Sequence, residues 1–139
     1  MRALVQRVAR ASVSVDGAIV SQIGPGLLVL LGIGHDDDEA IVERLVEKLL
    51  ALRVFADSDG RMNEPLGDRE LLCVSQFTLY GDASKGNRPS YVAAAAPEHA
   101  KPLYERFCER SGAKRGVFGA QMAVELVNDG PVTLLLEVP

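Results

Sequence analysis

The residues that could do chemistry are concentrated in two short polar segments. The first is Ser-Gln-Phe-Thr-Leu at 75–79, which interrupts an apolar stretch just before Gly81. A polar group on a buried strand must be hydrogen-bonded, or it costs about 1–3 kcal/mol. The segment is therefore either a functional site or an edge strand on which Ser75 and Thr78 face water.

The second segment is Asn-Asp-Gly-Pro-Val-Thr at 128–133. Asp129-Gly130 alone would suit a hairpin turn, but Pro131 removes a donor that a strand ladder needs. A Gly-Pro bond in a tight turn is a candidate cis peptide, which would direct two carbonyl oxygens the same way and could clamp an ammonium group. A plain turn is the alternative that spacing alone leaves open.

The ordinary catalytic constellations are not found. His35 and His99 accompany no Gly-x-Ser-x-Gly elbow, and there is no Walker, Rossmann or HExxH motif. Cys73 lies in an apolar run typical of an inert core residue, and its distance along the chain from Cys108 argues against a disulfide framework. Acidic residues 36–39 could bind a divalent metal, but they also suit a helix N-terminus. We expect no cofactor and no metal, so the chemistry would come from backbone groups, hydroxyls or the substrate.

Composition limits the class of protein. The chain has 139 residues, of which 47% are hydrophobic, so we expect one domain over residues 1–139 with a substantial core. No apolar run approaches the ~20 residues of a membrane-spanning helix, and the first residues lack a signal sequence, which favours a cytoplasmic protein.

The net charge is −4, yet residues 85–115 hold seven basic and three acidic residues. This segment is either a local phosphate-binding patch or a solvated helix face.

Periodicity predicts a mixed order of strands and helices. Asp36 is predicted to cap the first helix, with Glu39 as its capping partner, and Pro97 and Gly112 should bound the second helix. The predicted strands are 2–15, 18–23, 27–33, a short one from 53, 70–79, 122–128 and 132–138, the last two paired as a hairpin. Residues 57–66 and 81–90 read as loops. This order predicts an α/β or α+β fold with two helices on a sheet and a second, purely β layer.

The two polar segments together resemble those of the D-aminoacyl-tRNA deacylase family. Residues 1–8, 85–90 and 118–122 are also similar to the family's N-terminal strand, to its loop after the Ser-Gln-Phe-Thr-Leu segment and to its approach to the last strands. The resemblance thus covers the whole chain.

The resemblance implies an α/β, three-layer α/β/β fold with mixed sheets and two main helices. It implies a homodimer with active sites at the interface, in which a cis Gly130–Pro131 pair reaches into the other subunit's pocket and residues 75–79 form the floor. The substrate would be tRNA carrying a D-amino acid or glycine, and the products free amino acid and tRNA.

The resemblance also assigns candidate residues. The catalytic segment would comprise Ser75, Gln76, Phe77 and Thr78. Substrate-binding residues would be Arg7, Leu79, Phe118, Ala120, Met122, Gly130, Pro131, Val132 and Thr133. Basic residues that could contact tRNA phosphates are Lys85, Arg88, Arg106, Arg110, Lys114 and Arg115.

Three roles follow as expectations. Arg7 would hold the Gly-Pro carbonyls, with a surface salt bridge as the alternative. Backbone amides near Phe77 and Thr78 would stabilise an oxyanion, and water assisted by the ribose 2′-hydroxyl would attack while Thr78 positions the substrate. The competing interpretations are a hydrolase with Thr78 or Ser75 as covalent nucleophile, and a dimeric binding module without catalysis.

Overall fold

The computed structural model describes residues 1–139. Its strands are β1 (Arg2–Val15), β2 (Ala18–Ile23), β3 (Gly26–Gly32), β4 (Phe55–Ala56), β5 (Met62–Glu64), β6 (Glu70–Ser75), β7 (Lys114–Arg115) and β8 (Ala123–Glu137). Its helices are α1 (Glu39–Ala51) and α2 (Pro97–Ser111), with a 3₁₀ turn at Phe77–Tyr80. Neither helix has the length and apolar character needed to cross a membrane.

The main sheet has the order β2-β1-β3-β6-β7, and β8 pairs with β1 as well. β1 runs antiparallel to β2, β3 and β8, whereas β3, β6 and β7 are mutually parallel. Strand β3 lies at the centre and is buried almost throughout, which explains its continuous apolar sequence. The predicted mixed α/β class with two helices is confirmed.

Two hydrophobic cores lie on opposite faces of this sheet. Alternate residues of β3, such as Val29, join the larger core beneath α1 and α2. Their neighbour Leu28 joins a smaller core with Val8 and Val13 of β1. Because this smaller core contains only strand residues, the far part of β1 with β2 and β8 covers the face away from the helices, as the predicted β layer requires.

A clasp between β2 and β7 closes this smaller core. The Lys114 ammonium donates to the Gln22 carbonyl at 2.9 Å and pairs with a Glu70 carboxylate oxygen at 2.8 Å. The other Glu70 oxygen accepts from the Gly24 amide at 3.2 Å. The hydrogen bond from Lys114 is the main reason why the pKa of Glu70 lies below its ordinary value. Lys114 thus has a structural partner that its predicted phosphate-binding role did not anticipate.

The cap of α1 differs from the prediction. Asp38, not Asp36, is the N-cap residue, and its carboxylate accepts from the Ile41 amide at 3.0 Å. Asp37 is buried and accepts instead from the Gly34 amide and the Met1 ammonium. Consecutive aspartates offer several equivalent caps, and tertiary contacts decide which one is used.

The last part of the chain is not a hairpin, so that prediction is wrong. Residues 123–128 and 133–137 both pair with β1, in one long antiparallel ladder. The predicted turn is an insertion within a single strand, and the chain continues in the same direction after it. A second local difference is that residues 62–64, predicted as loop, form β5 against β4.

Cys73 is a core residue, as predicted. Both Cys73 and Cys108 are free and buried, and burial raises the pKa of the Cys73 thiol well above its ordinary value. The Tyr104 hydroxyl donates to the Cys73 carbonyl at 2.8 Å. A thiol in this environment is a poor nucleophile.

Candidate active site

The first polar segment leaves the sheet earlier than predicted. Strand β6 ends at Ser75, and the Gln76 amide makes the last ladder bond, to the Leu31 carbonyl at 2.8 Å. A 3₁₀ turn, Phe77–Tyr80, then replaces the predicted strand to Leu79. The turn fits closely against β3, because a Cβ at Gly32 would lie 3.1 Å from the Leu79 Cβ.

Side chains fix this turn at both ends. The Gln76 side-chain amide donates to the Thr78 hydroxyl. The Arg2 guanidinium donates to the Leu79 carbonyl at 2.8 Å and lies over the Tyr80 ring, 4.5 Å from its centroid. Burial is the main reason why the pKa of Tyr80 is raised to about 12. These contacts therefore fix the conformation of the turn.

The opening residues of the turn supply backbone donors. In a 3₁₀ turn the first amides, here those of Phe77 and Thr78, have no acceptor within the turn itself. Amides of this kind can stabilise negative charge on a substrate oxygen. The oxyanion role of these two amides remains a prediction.

A cavity of about 530 Å³ opens beside this turn. Twelve of its sixteen lining residues are hydrophobic, and none carries a formal charge. It is lined by Leu31, Ile33, Val74, Ser75, Gln76, Phe77, Tyr91, Ala94, Ala95, Pro97, Ala100, Phe118, Gly119, Ala120, Met122 and Val124. A volume of several hundred cubic ångströms with a few polar groups is typical of a small-ligand site.

The structure brings only some of the predicted site residues together. The cavity is lined by Ser75, Gln76, Phe77, Phe118, Ala120 and Met122, but not by Thr78 or Leu79. The second polar segment does not line it either. Within one copy of the chain, then, the two motifs form two separate structures.

The second motif is a bulge opposite Arg7. In the ladder between β1 and β8, Gln6 faces Thr133 and Val8 faces Asn128, so four residues stand opposite Arg7 alone. The peptide bond between Gly130 and Pro131 is cis, as expected. Both residues are exposed, so the tip of the bulge is open to a ligand or a second molecule.

Arg7 holds the base of this bulge. Its Nε donates to the Asp129 carbonyl at 2.8 Å, and its Nη1 donates to the Val54 carbonyl at 2.7 Å. The sequence predicts that Arg7 holds the Gly130 and Pro131 carbonyls in place, and within one copy of the chain Arg7 donates to the carbonyl of the preceding residue, Asp129. The reason is register, since Arg7 stands directly opposite the start of the inserted residues.

Asn128 closes the bulge from within. Its side-chain oxygen accepts from the Val132 amide at 2.8 Å, and its nitrogen donates to the Thr133 hydroxyl at 2.9 Å. Gly130 has φ +140°, and a Cβ there would lie 2.9 Å from Val132 and 3.1 Å from Arg7. Only glycine suits this position.

The predicted basic residues divide into two groups. Arg106 and Arg110 of α2 both pair with Glu43 of α1, at 2.9 and 3.2 Å, and Arg106 also lies 3.7 Å from Glu39. With Lys114 in the clasp, three of the six side chains are engaged within the fold. The other three, which make no ion pair, are Lys85, Arg88 and Arg115.

Sequence reasoning missed the wall of the cavity formed by Tyr91, Ala94, Ala95, Pro97 and Ala100. The sequence feature from which this wall could have been predicted is the run of four consecutive alanines before Pro97. A run of small residues between a loop and a helix start can leave space beside a sheet. Nothing local indicated that this space would face Ser75.

Comparison with known proteins agrees with the resemblance. The family model described as "D-Tyr-tRNA(Tyr) deacylase" matches residues 4–137. A D-aminoacyl-tRNA deacylase of Myxococcus xanthus is 59% identical, with 100% of this chain and 95% of the relative covered. One from Symbiobacterium thermophilum is 53% identical, with 99% and 95% covered.

Solved structures share the fold. A structure titled "c-Myc DNA Unwinding Element Binding Protein" has a TM-score of 0.94 and 45% identity, covering 100% of this chain and 99% of that one. A probable eukaryotic D-amino acid tRNA deacylase has a TM-score of 0.82, covers 99% and 98% of the two chains, and at 18% identity supports the fold alone.

These findings define the class of protein as a hydrolase that acts on ester bonds. More particularly, the chain belongs to the D-Tyr-tRNA(Tyr) deacylase family, over almost its whole length.

Proposed function

We propose that this protein hydrolyses the ester bond of D-aminoacyl-tRNA, releasing the D-amino acid and the tRNA, as a single cytoplasmic domain of residues 1–139. Rejection of L-aminoacyl-tRNA would make it a chiral proofreading enzyme of translation. The observation that carries the proposal is the turn Phe77–Tyr80, whose first residue lines an uncharged cavity of about 530 Å³ and whose opening amides have no acceptor within the turn. Membership of the deacylase family supports the same reaction.

The working site is proposed to need two copies of the chain. An aminoacyl ester carries an ammonium group, and no charged residue lines the cavity. A buried ammonium needs acceptors, and the exposed Gly130–Pro131 bulge of a second copy offers carbonyl oxygens. In this arrangement each cavity receives the bulge of the other protomer, so the enzyme is a homodimer with its sites at the interface.

The proposed dimer interface includes the outer edge of β8. This strand pairs with β1 on one side only, and Val127, Leu134 and Leu135 are exposed along it. A long edge strand with exposed apolar side chains is prone to pair with another chain. Burial against a second copy would cover these residues and bring the bulge to its target.

Chirality would be read at the α-carbon. Side chains differ among amino acids, but the ammonium, the ester carbonyl and the α-hydrogen are shared. Carbonyl oxygens of Gly130 and Pro131 would hold the ammonium and fill the space that an L side chain requires, while a D side chain points to solvent. A 10⁴-fold preference corresponds to about 5.5 kcal/mol, which a rigid steric clash can supply. Glycine has no side chain to reject, so Gly-tRNA is a further expected substrate.

Hydrolysis would use few protein side chains. Amides at the start of the turn would stabilise the oxyanion of the tetrahedral intermediate. Water would attack with help from the ribose 2′-hydroxyl, and Thr78 would position the substrate. Phe118, Ala120 and Met122 would shape the pocket of the terminal adenosine, and Leu79, Val132 and Thr133 would support the two motifs from outside the cavity.

The deciding experiment compares deacylation of D-Tyr-tRNA, L-Tyr-tRNA and Gly-tRNA by the purified protein. Loss of the D ester and the glycyl ester, with the L ester intact, is the expected result. Loss of both tyrosyl esters would indicate an unselective esterase and contradict the Gly-Pro clamp. Loss of neither from a folded dimer would favour the binding-module interpretation.

A further inference from the structure

Two aromatic rings pack against each other at the cavity. Phe77 and Tyr91 have ring centroids 5.1 Å apart and an interplanar angle of 72°, an edge-to-face pair. Phe77 remains 55% exposed and Tyr91 39% exposed, and both line the cavity. An exposed ring with a fixed orientation can stack on a nucleobase.

Tyr91 is held from the side opposite Phe77. A Cβ at Gly81 would lie 2.8 Å from the Tyr91 Cε1, so the Tyr91 ring rests against the backbone where the 3₁₀ turn ends. The absence of a side chain at Gly81 makes this close approach possible. Tyr91 therefore packs against both the first residue of the turn and the residue that follows it.

The segment that carries Tyr91 is anchored to the fold on both sides of it. Before Tyr91, Asp82 and Ser90 exchange two backbone hydrogen bonds of 2.8 Å. After it, His35 Nε2 bonds to the Val92 carbonyl at 2.5 Å, and the Ala95 amide donates to the Ile33 carbonyl at 2.9 Å. These bonds fix the backbone at Tyr91, so its ring is a stable support.

We propose that Tyr91 is a positioning residue, which orients the Phe77 ring so that its exposed face stacks on a nucleobase at the 3′ end of the substrate. This inference rests on the proposed function, because it takes tRNA as the substrate. Phe77 would contact the substrate, and Tyr91 would act through Phe77. The contact between Tyr91 and Phe77 is made by the two rings, so the ring of Tyr91 is the part on which this role depends.

The test measures the affinity of a non-hydrolysable probe, the trinucleotide cytidine-cytidine-adenosine with a 3′-linked D-tyrosyl amide. Tyr91→Ala should weaken its binding about three- to tenfold, the range expected for loss of one aromatic pair. In deacylation assays KM should rise to the same extent while kcat stays within twofold. Tyr91→Phe keeps the ring and should restore most of the lost affinity.

A double-mutant cycle distinguishes positioning from a general structural effect. If Tyr91 acts through Phe77, Tyr91→Ala should have little further effect once Phe77→Ala is present. Met62→Ala, at an exposed apolar residue of the β4–β5 hairpin, is the matched control. Thermal unfolding of each variant verifies the fold.

The possible outcomes separate the two proposals. Wild-type deacylation with unchanged probe affinity in Tyr91→Ala, or additive losses in the double variant, overturns the role of Tyr91 and leaves the proposed function standing. A wild-type protein that neither binds the probe nor deacylates D-Tyr-tRNA overturns both.

Discussion

The side-chain amide of Gln76 donates a hydrogen bond to the hydroxyl oxygen of Thr78. This bond occupies one of the two lone pairs of the hydroxyl oxygen, and an amide nitrogen that donates to the hydroxyl cannot also remove its proton. An activated hydroxyl needs a base within hydrogen-bond reach. The contact therefore favours a positioning role for Thr78 over covalent catalysis.

Thr78→Ala should accordingly keep substantial activity, with kcat reduced by roughly tenfold or less, the cost of one lost hydrogen bond of about 0.5–1.5 kcal/mol. Single-turnover deacylation of D-Tyr-tRNA measures this directly. Ser75→Ala is the companion variant, because Ser75 is the other candidate nucleophile. Complete loss of turnover in a folded variant, or an acyl-enzyme trapped on either hydroxyl, would contradict water attack.

Arg7→Ala should reduce the deacylation activity that depends on the bulge more strongly than it reduces the stability of the fold. The variant loses the bonds to the Asp129 and Val54 carbonyls, and bonds from a charged donor contribute about 1.5–3 kcal/mol each. We expect deacylation to fall at least tenfold and the midpoint of urea unfolding to decrease. Arg7→Lys should rescue only partly, since an ammonium cannot reproduce the guanidinium fork.

Arg10→Ala is the control for this prediction. Arg10 lies on the same strand, is exposed and forms no ion pair. Its removal should change neither activity nor stability measurably. Equal losses in the two variants would show that charge on β1, rather than the geometry at Asp129, is what matters.

Much of the fold could be predicted because local patterns agreed with it. Helix α2 begins at Pro97 and ends before Gly112, which has φ +75°, and both signals are local. Strand β3 showed its burial in its continuous apolar sequence. Strand β8 could not be predicted, because Asp129-Gly130 resembles a hairpin turn and only pairing with β1 shows that the strand continues.

The site was predictable in its motifs and not in its contacts. The two polar segments conflicted with their apolar surroundings, which marked them as functional. The 3₁₀ turn at Phe77 depends on space beside Gly32 of another strand, and no local pattern reports that. Ion pairs between different helices, such as the one between Arg106 and Glu43, likewise could not be predicted, because the two residues are far apart in the sequence.

The two groups of basic residues should respond differently when their charge is reversed or removed. Lys85→Glu with Arg88→Glu should weaken tRNA binding and reduce the slope of log affinity against log salt by roughly 1 per lost phosphate contact. Arg106→Ala should instead reduce the free energy of unfolding by about 1 kcal/mol, because its ion pairs join α1 and α2. Binding measured from low to high salt, with urea unfolding, checks both. A salt slope that changes only in Arg106→Ala would return the phosphate site to α2.

The Glu70–Lys114 clasp should make stability depend on pH. The pKa of Glu70 is lowered in the folded protein, chiefly by the hydrogen bond from Lys114. A lowered folded-state pKa contributes stability that is present above the unfolded value and is lost as pH falls through the folded value. Wild type should therefore lose this contribution as pH falls below about 4.5, the ordinary value for the group.

Glu70→Gln tests the clasp. The variant should be less stable than wild type near pH 7, and the difference should shrink as the pH is lowered. Glu47→Gln, an exposed position on α1 without an ion pair, should show no such difference. Urea unfolding at a series of pH values makes the comparison, and a difference that stays constant with pH would show that Glu70 acts through packing and not through its charge.

Leu135→Glu should separate the fold from the working site. Leu135 is 51% exposed in a single copy, lies on β8 and does not line the cavity. A buried glutamate at an interface between copies costs several kcal/mol in lost apolar contact and desolvation, so the variant should be monomeric by sedimentation. If the bulge of a second copy completes each cavity, the monomer should lose deacylation of D-Tyr-tRNA while its thermal unfolding stays close to that of wild type. Val20→Glu is the control, because Val20 is an exposed apolar residue of β2. This variant should stay dimeric and active. A monomeric Leu135→Glu protein that still removes the D ester would show that one chain holds a complete site, and the ammonium acceptor would then have to be sought near Gln76.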